Sequence, residues 1–131
     1  MTKIATLTQA ETMVLYQTAF DLFQQQRYQQ ALPLALQLSA ARPDDWRFHF
    51  LSAMTLQFLG DIEAAIPFYG YTLILDPACT PAVFRLAECL EKNAQHQQAR
   101  QLYESVIEQG RKEPQHHALQ GLAQARLRAL H

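Results

Sequence analysis

The feature that most constrains this chain is a period. Ala31, Ala65 and Ala99 stand 34 residues apart, and Ala19, Ala53 and Ala87 keep the same interval. So do Leu22, Leu56 and Leu90, the aromatic set Tyr16, Phe50 and Phe84, and the pairs Pro33/Pro67 and Pro43/Pro77. One such coincidence means little where alanine is common; six in one register mean a repeat. A period of this length describes stacked supersecondary units, none of which buries its apolar face alone. Composition says what the units are made of. The chain has 19 alanines and 17 glutamines but only four glycines. Ala and Gln favour helix and Gly opposes it, so the expected class is all-α.

The period and the residue types resemble the tetratricopeptide repeat, a 34-residue helix–turn–helix. Three tandem units follow, at 12–45, 46–79 and 80–113, with a capping helix at 114–131, seven helices in one domain. Each unit reads as a first helix (A), a tight turn and a second helix (B). Small residues mid-way along A and early in B let the two helices approach closely, with the repeating leucines filling the space beside them. Gly60 can take the left-handed position that ends a helix, and Asp61 can cap the next. Pro43 and Pro77 end their B helices.

The register also has faults. Pro33 and Pro67 fall inside helix B, where a proline removes a backbone donor, so a late start or a bend is expected there. The third unit has Arg111 where the terminal proline belongs, and Pro114 follows three residues later. Its turn, Asn93 to His96, is weaker in type than the one at Gly60. Beyond Pro114, Leu119, Leu122, Ala123, Leu127 and Leu130 recur at helical spacing, with Arg126 and Arg128 pointing elsewhere.

Charge and motif exclude most chemistries. Eleven Lys and Arg against twelve Asp and Glu give a net charge of −1, a poor footprint for binding nucleic acid. No apolar run is long enough for a membrane span, and residues 1–10 do not read as an export signal. Two cysteines, Cys79 and Cys89, are too few for a disulfide framework and are expected as buried or half-buried thiols of a reducing cytoplasm. There is no phosphate-binding glycine loop, no Cys-x-x-Cys and no His-Glu-x-x-His. The histidines (His49, His96, His116, His117 and His131) read as surface residues; adjacent His116 and His117 diverge by about 100° on a helix and do not share a metal. Glu88 and Glu91, three apart, read as a solvated or ligand-facing helix edge. No enzyme, cofactor or metal is expected.

In tetratricopeptide repeats the A helices line a concave groove through the fifth, ninth and twelfth positions of each unit. Here these are Tyr16, Phe20 and Phe23, then Phe50, Met54 and Gln57, then Phe84, Glu88 and Glu91. The core is already supplied by the alanines and leucines together with Tyr69, Tyr103 and Val106, so the aromatic set is expected to line the groove. An apolar groove with a polar rim is a binding site by default. It suits an extended apolar segment better than an acidic C-terminus, since only Arg47, Arg85 and Lys92 lie near the face.

Three stretches carry a closer resemblance: YQTAFDLFQQQRYQQALPLA at 16–35, RFHFLSAMTLQFLGDIEAAIPFYGYTLILD at 47–76, and PAVFRLAECL at 81–90. The Arg-Phe opening of the second unit, Phe68-Tyr69-Gly70-Tyr71, and Ala87-Glu88-Cys89-Leu90 go beyond a general repeat consensus. Over about residues 12–110 the chain resembles the class II, LcrH/SycD-like translocator chaperones of bacterial type III secretion. The resemblance implies a non-enzymatic cytoplasmic chaperone that keeps hydrophobic translocators soluble before secretion. It implies a Pro-x-Leu-x-x-Pro type segment in the concave groove, and Tyr16, Phe23 and Tyr28 at groove or near-groove tyrosine positions. It also implies a homodimer and, in some members, a transcriptional activator as partner. Only about eleven residues precede the first unit, where the family has a longer helical segment, so the dimer mode is left open. The residues alone also allow an adaptor joining folded proteins, or a needle-subunit chaperone.

Overall fold

The computed structural model describes residues 6–130; His131 lies outside them. Among the described residues the chain forms seven α-helices and no strand. They are α1 (Gln9–Gln24), α2 (Tyr28–Ala41), α3 (Trp46–Phe58), α4 (Ile62–Leu75), α5 (Thr80–Lys92), α6 (His96–Lys112) and α7 (His117–Ala129), with a 3-10 turn, Pro114–His116, before α7. None is long and apolar enough to cross a membrane. Each helix packs on the next, and α1 also touches α3, α3 touches α5, and α5 touches α7. The odd-numbered helices therefore run side by side and make one face.

The repeating alanines explain the packing. Ala19, Ala53, Ala87, Ala31, Ala65 and Ala99 are all wholly buried. A side chain that ends at Cβ lets helix ridges enter the facing grooves. Tyr69, Tyr103 and Val106 fill the interior from the even helices. Leu56 is buried, while Leu22 and Leu90 are half-buried. A hydroxyl pair, Ser39 and Ser52, bonds at 2.9 Å between α2 and α3 and satisfies two buried polar groups at once.

The turns repeat as faithfully as the core. Gln26, Gly60 and Ala94 all have positive φ, at 62°, 90° and 61°. The residue after each donates its N–H to the carbonyl of Leu22, Leu56 or Leu90, at 2.9, 2.9 and 2.8 Å. These are the paired bonds of a left-handed helix stop. Only the middle turn has glycine. The third turn, weak by residue type, has the same geometry, and Ala94 carries a strain of about 1 kcal/mol for it. Asp61 caps α4, accepting from the Ala64 N–H at 3.4 Å.

Four expectations need correcting. The prolines cause no late start: α2 and α4 begin five residues before Pro33 and Pro67 and run through them. Each proline is exposed, and the carbonyls left without a donor belong to Gln29 and Glu63, also exposed, where water replaces the lost bond. Helix α1 begins at Gln9, three residues ahead of the first unit, because Thr8 and Glu11 form a reciprocal capping box. Leu122 is exposed, on the uncovered side of α7. His49 is buried rather than at the surface; its Nε2 donates to the Pro43 carbonyl at 2.8 Å, that oxygen having no proton to give.

Candidate functional site

The face made by α1, α3 and α5 holds a cleft of about 530 Å³, within the range of roughly 300–1,000 Å³ typical of ligand clefts. Tyr16 and Phe20 come from α1, Trp46, Phe50 and Met54 from α3, and Leu51 and Cys79 also line it. Asp76, Glu113 and His116 stand at its edge. All four groove residues expected here, Tyr16, Phe20, Phe50 and Met54, are half-buried.

The start of α3 sets the geometry. Asp45 caps it, accepting from the Arg47 N–H at 3.1 Å, and also takes both arms of the Arg47 guanidinium, at 3.0 and 2.7 Å. That pairing holds the Asp45 carboxyl below the usual carboxylate range and Arg47 above its own. The guanidinium lies 5.4 Å from the ring centres of both Tyr16 and Phe48. Tyr16 in turn packs on Phe48 at 5.3 Å, and burial pushes its phenol up. Burial also raises the Cys79 thiol.

The other expected residues separate into three groups. Phe23 and Tyr28 join Phe58 in a triangle with ring centres 5.3 to 5.6 Å apart. Gln57 and Glu88 join a polar chain. Tyr69 Oη donates to Gln57 Oε1 at 2.6 Å, and Gln57 Nε2 donates to Glu88 Oε1 at 3.1 Å. Arg85 reaches the same Glu88 oxygen at 2.9 Å, and Arg126 approaches Glu88 at 3.5 Å and Glu91 at 4.0 Å. Tyr103 Oη donates to Glu91 at 2.8 Å. Glu88 and Glu91 are thus an internally paired set and not a solvated edge, and Arg126 points toward the face and not away from it.

Phe84 is not groove-lining. It is 3% exposed and packs edge-on against Tyr103 at 5.8 Å, inside a cluster with Ala87, Ala99 and Val106. The arrival of α7 against α5 closes this part of the face.

Trp46 and Phe58 were missed. Trp46 opens the second unit and Phe58 ends its first helix, one position beyond the twelfth. The signal for Phe58 was its place one turn after Met54, on the same side of the helix. A second cleft of about 620 Å³ lies beside it, lined by Gln57, Phe58, Arg85, Glu88 and Lys92 among others. No cluster of metal-binding side chains occurs among the described residues.

Two family models described as tetratricopeptide repeat match the chain, one at residues 59–124 and the other at 16–69. The first alone covers half of it. The chain belongs to the tetratricopeptide repeat family. Among curated proteins none matches the sequence. Solved tetratricopeptide-type structures resemble it over nearly its whole length. PcrH in complex with the chaperone binding region of PopD is 25% identical, with a TM-score of 0.89, 95% of this chain and 93% of that chain covered. PcrH from Pseudomonas aeruginosa is 24% identical, with a TM-score of 0.87, 99% and 98% covered. The Yersinia enterocolitica type III secretion chaperone SycD, in complex with a peptide of the translocator YopD, is 24% identical, with a TM-score of 0.88, 94% of each chain covered.

Proposed function

We propose that this chain is a chaperone of a type III secretion system that holds an extended apolar segment of a translocator in the cleft of Tyr16, Phe20, Phe50 and Met54. The observation that carries the reading is an aromatic cleft on the face made by the odd-numbered helices, in a chain that shares its repeat fold, end to end, with PcrH bound to a region of PopD. The chemistry fits a holder. Each buried Leu or Val anchor contributes roughly 1.5–3 kcal/mol before ordering costs. Two or three anchors sum to roughly 3–9 kcal/mol gross, which puts net binding no tighter than the micromolar range, about −8 kcal/mol, loose enough to release the segment. The role needs no catalytic group, and its place is the bacterial cytoplasm, where translocators are made.

Trp46 supplies the test. It is the chain's single tryptophan and it lines the cleft. Titration with peptides from the apolar N-terminal regions of translocators shifts its emission, and Phe20→Ala or Phe50→Ala weakens binding at least tenfold. Co-expression keeps the full-length translocator soluble. Partners that are folded and carry no membrane-active segment, captured with no response at Trp46, sink the reading.

A further inference from the structure

The two lips of the groove carry opposite charge. Because each hairpin reverses the chain, the odd-numbered helices run the same way, so their N-terminal ends form one lip and their C-terminal ends the other. Asp76 and Glu113 border the aromatic cleft at the first lip. The arginine there, Arg47, is already held by both oxygens of Asp45. His116, 3.1 Å from Glu113, adds a positive charge only when protonated. At the opposite lip Lys92 borders the second cleft, which Arg85 lines from nearer the middle of α5, and Arg27 borders the depression beside Tyr28. Of the carboxylates there, Glu88 already faces two arginines, Arg85 and Arg126, and Asp61 caps α4. Lys92 and Arg27 belong to no ion pair among the described residues.

The spacing follows from α5. Its 13 residues rise about 20 Å from the first lip to the second, a distance an extended chain covers in about six residues. We infer that the groove takes an apolar segment bracketed by opposite charges: a Lys or Arg over Asp76 and Glu113, and an Asp or Glu six or seven residues away over Arg27 and Lys92. The inference rests on the groove reading above and adds to it the class of segment accepted. Apolar anchors hold the segment, while the charges choose among apolar segments and fix the direction in which the chain lies. Like charges at either lip are penalised, which is how charge patterns reject wrong partners.

Five peptides sharing a Pro-x-Leu-x-x-Pro core, with Lys/Glu, Glu/Lys, Lys/Lys, Glu/Glu or Ser/Ser at the two ends, test it by Trp46 emission at pH 8. The better mixed peptide is expected to bind at least fivefold tighter than Ser/Ser and tenfold tighter than either like-charged one. The advantage disappears in 0.5 M NaCl, where the screening length falls to about 4 Å. Arg27→Glu with Lys92→Glu transfers the preference to the Lys/Lys peptide. If all five bind within twofold of one another, yet Phe50→Ala weakens them together, the charge pattern is wrong and the groove reading stands. If none binds, or binding ignores Phe50→Ala, both fall.

Discussion

The twelfth position of the repeat is Phe23 in the first hairpin but Gln57 and Glu91 in the next two, and the twenty-fourth is Ala35, then Tyr69 and Tyr103. In the second and third hairpins the tyrosine of helix B spans the core and its hydroxyl bonds the polar residue of helix A. In the first hairpin both members change together. Ala35 leaves no ring and no hydroxyl to satisfy, and Phe23 turns to Tyr28 and Phe58. The same register thus yields two surfaces. At this position, where helix B supplies the bulk, the odd-helix residue is polar and tied to its neighbours. Where helix B is small, the residue is aromatic and packs on other aromatic rings. The fifth position shows the same divide, with Tyr16 half-buried at the cleft and Phe84 wholly enclosed.

Truncating that fifth position breaks the comparison most sharply. Phe84→Ala is expected to cost about 3–5 kcal/mol of unfolding free energy, and Tyr16→Ala, half-exposed, about 1–2 kcal/mol by the area it buries. Urea melts measure both, and equal losses dissolve the distinction between guest surface and core.

Next in size is the contribution of the third hairpin's Cys89 to alkaline unfolding. Burial pushes the Cys89 thiol up to about 12, so it stays neutral in the folded protein while the unfolded chain ionises above about 9. Stability is intact below pH 9 and falls as pH rises from 9 to 12, on the order of 2 kcal/mol by pH 10.5. Cys89→Ala narrows the drop. The counterpart in the first hairpin, Asp21, is exposed, and Asp21→Ala leaves the alkaline slope unchanged.

The turns should then prove alike despite their residues. Ala94→Gly and Gln26→Gly each stabilise by about 1 kcal/mol, and Gly60→Ala destabilises by a similar amount, read as shifts in melting temperature. The smallest effect belongs to Arg126→Ala, whose partly exposed ion pairs are worth about 0.5 kcal/mol. Hydrogen exchange should quicken about twofold in α7 and stay unchanged in α1.

Much of this was legible in the 34-residue spacing. The alanine register fixes which helix faces meet, and a period needs no knowledge of what lies across it. The exceptions are contacts between units. Phe84 occupies a groove position yet joins a buried cluster with Tyr103 and Ala123; the apolar stripe of the capping helix was legible, but not which residues of α5 it would cover. Glu88 and Glu91 read as a solvated or ligand-facing edge because Arg126 lies 35 to 38 residues away. The left-handed turns at Gln26 and Ala94 were invisible because residue type speaks only where glycine is used; the register itself, stepping 34 from Gly60 in each direction, was the available signal.

The displaced proline has a wider consequence. Helices α3 and α5 begin 34 residues apart, but α5 and α7 begin 37 apart, because α6 runs three residues past the site where proline stopped α2 and α4. Each residue turns a helix by about 100°, so a slip of three is a dislocation in a stacked crystal of hairpins. In the shifted count the groove positions of α7 fall on Gly121, Ala125 and Arg128, all exposed. The wall that began with tyrosine and phenylalanine runs out into bare backbone. One misplaced ring, at Pro114, thus acts as the ruler's end mark.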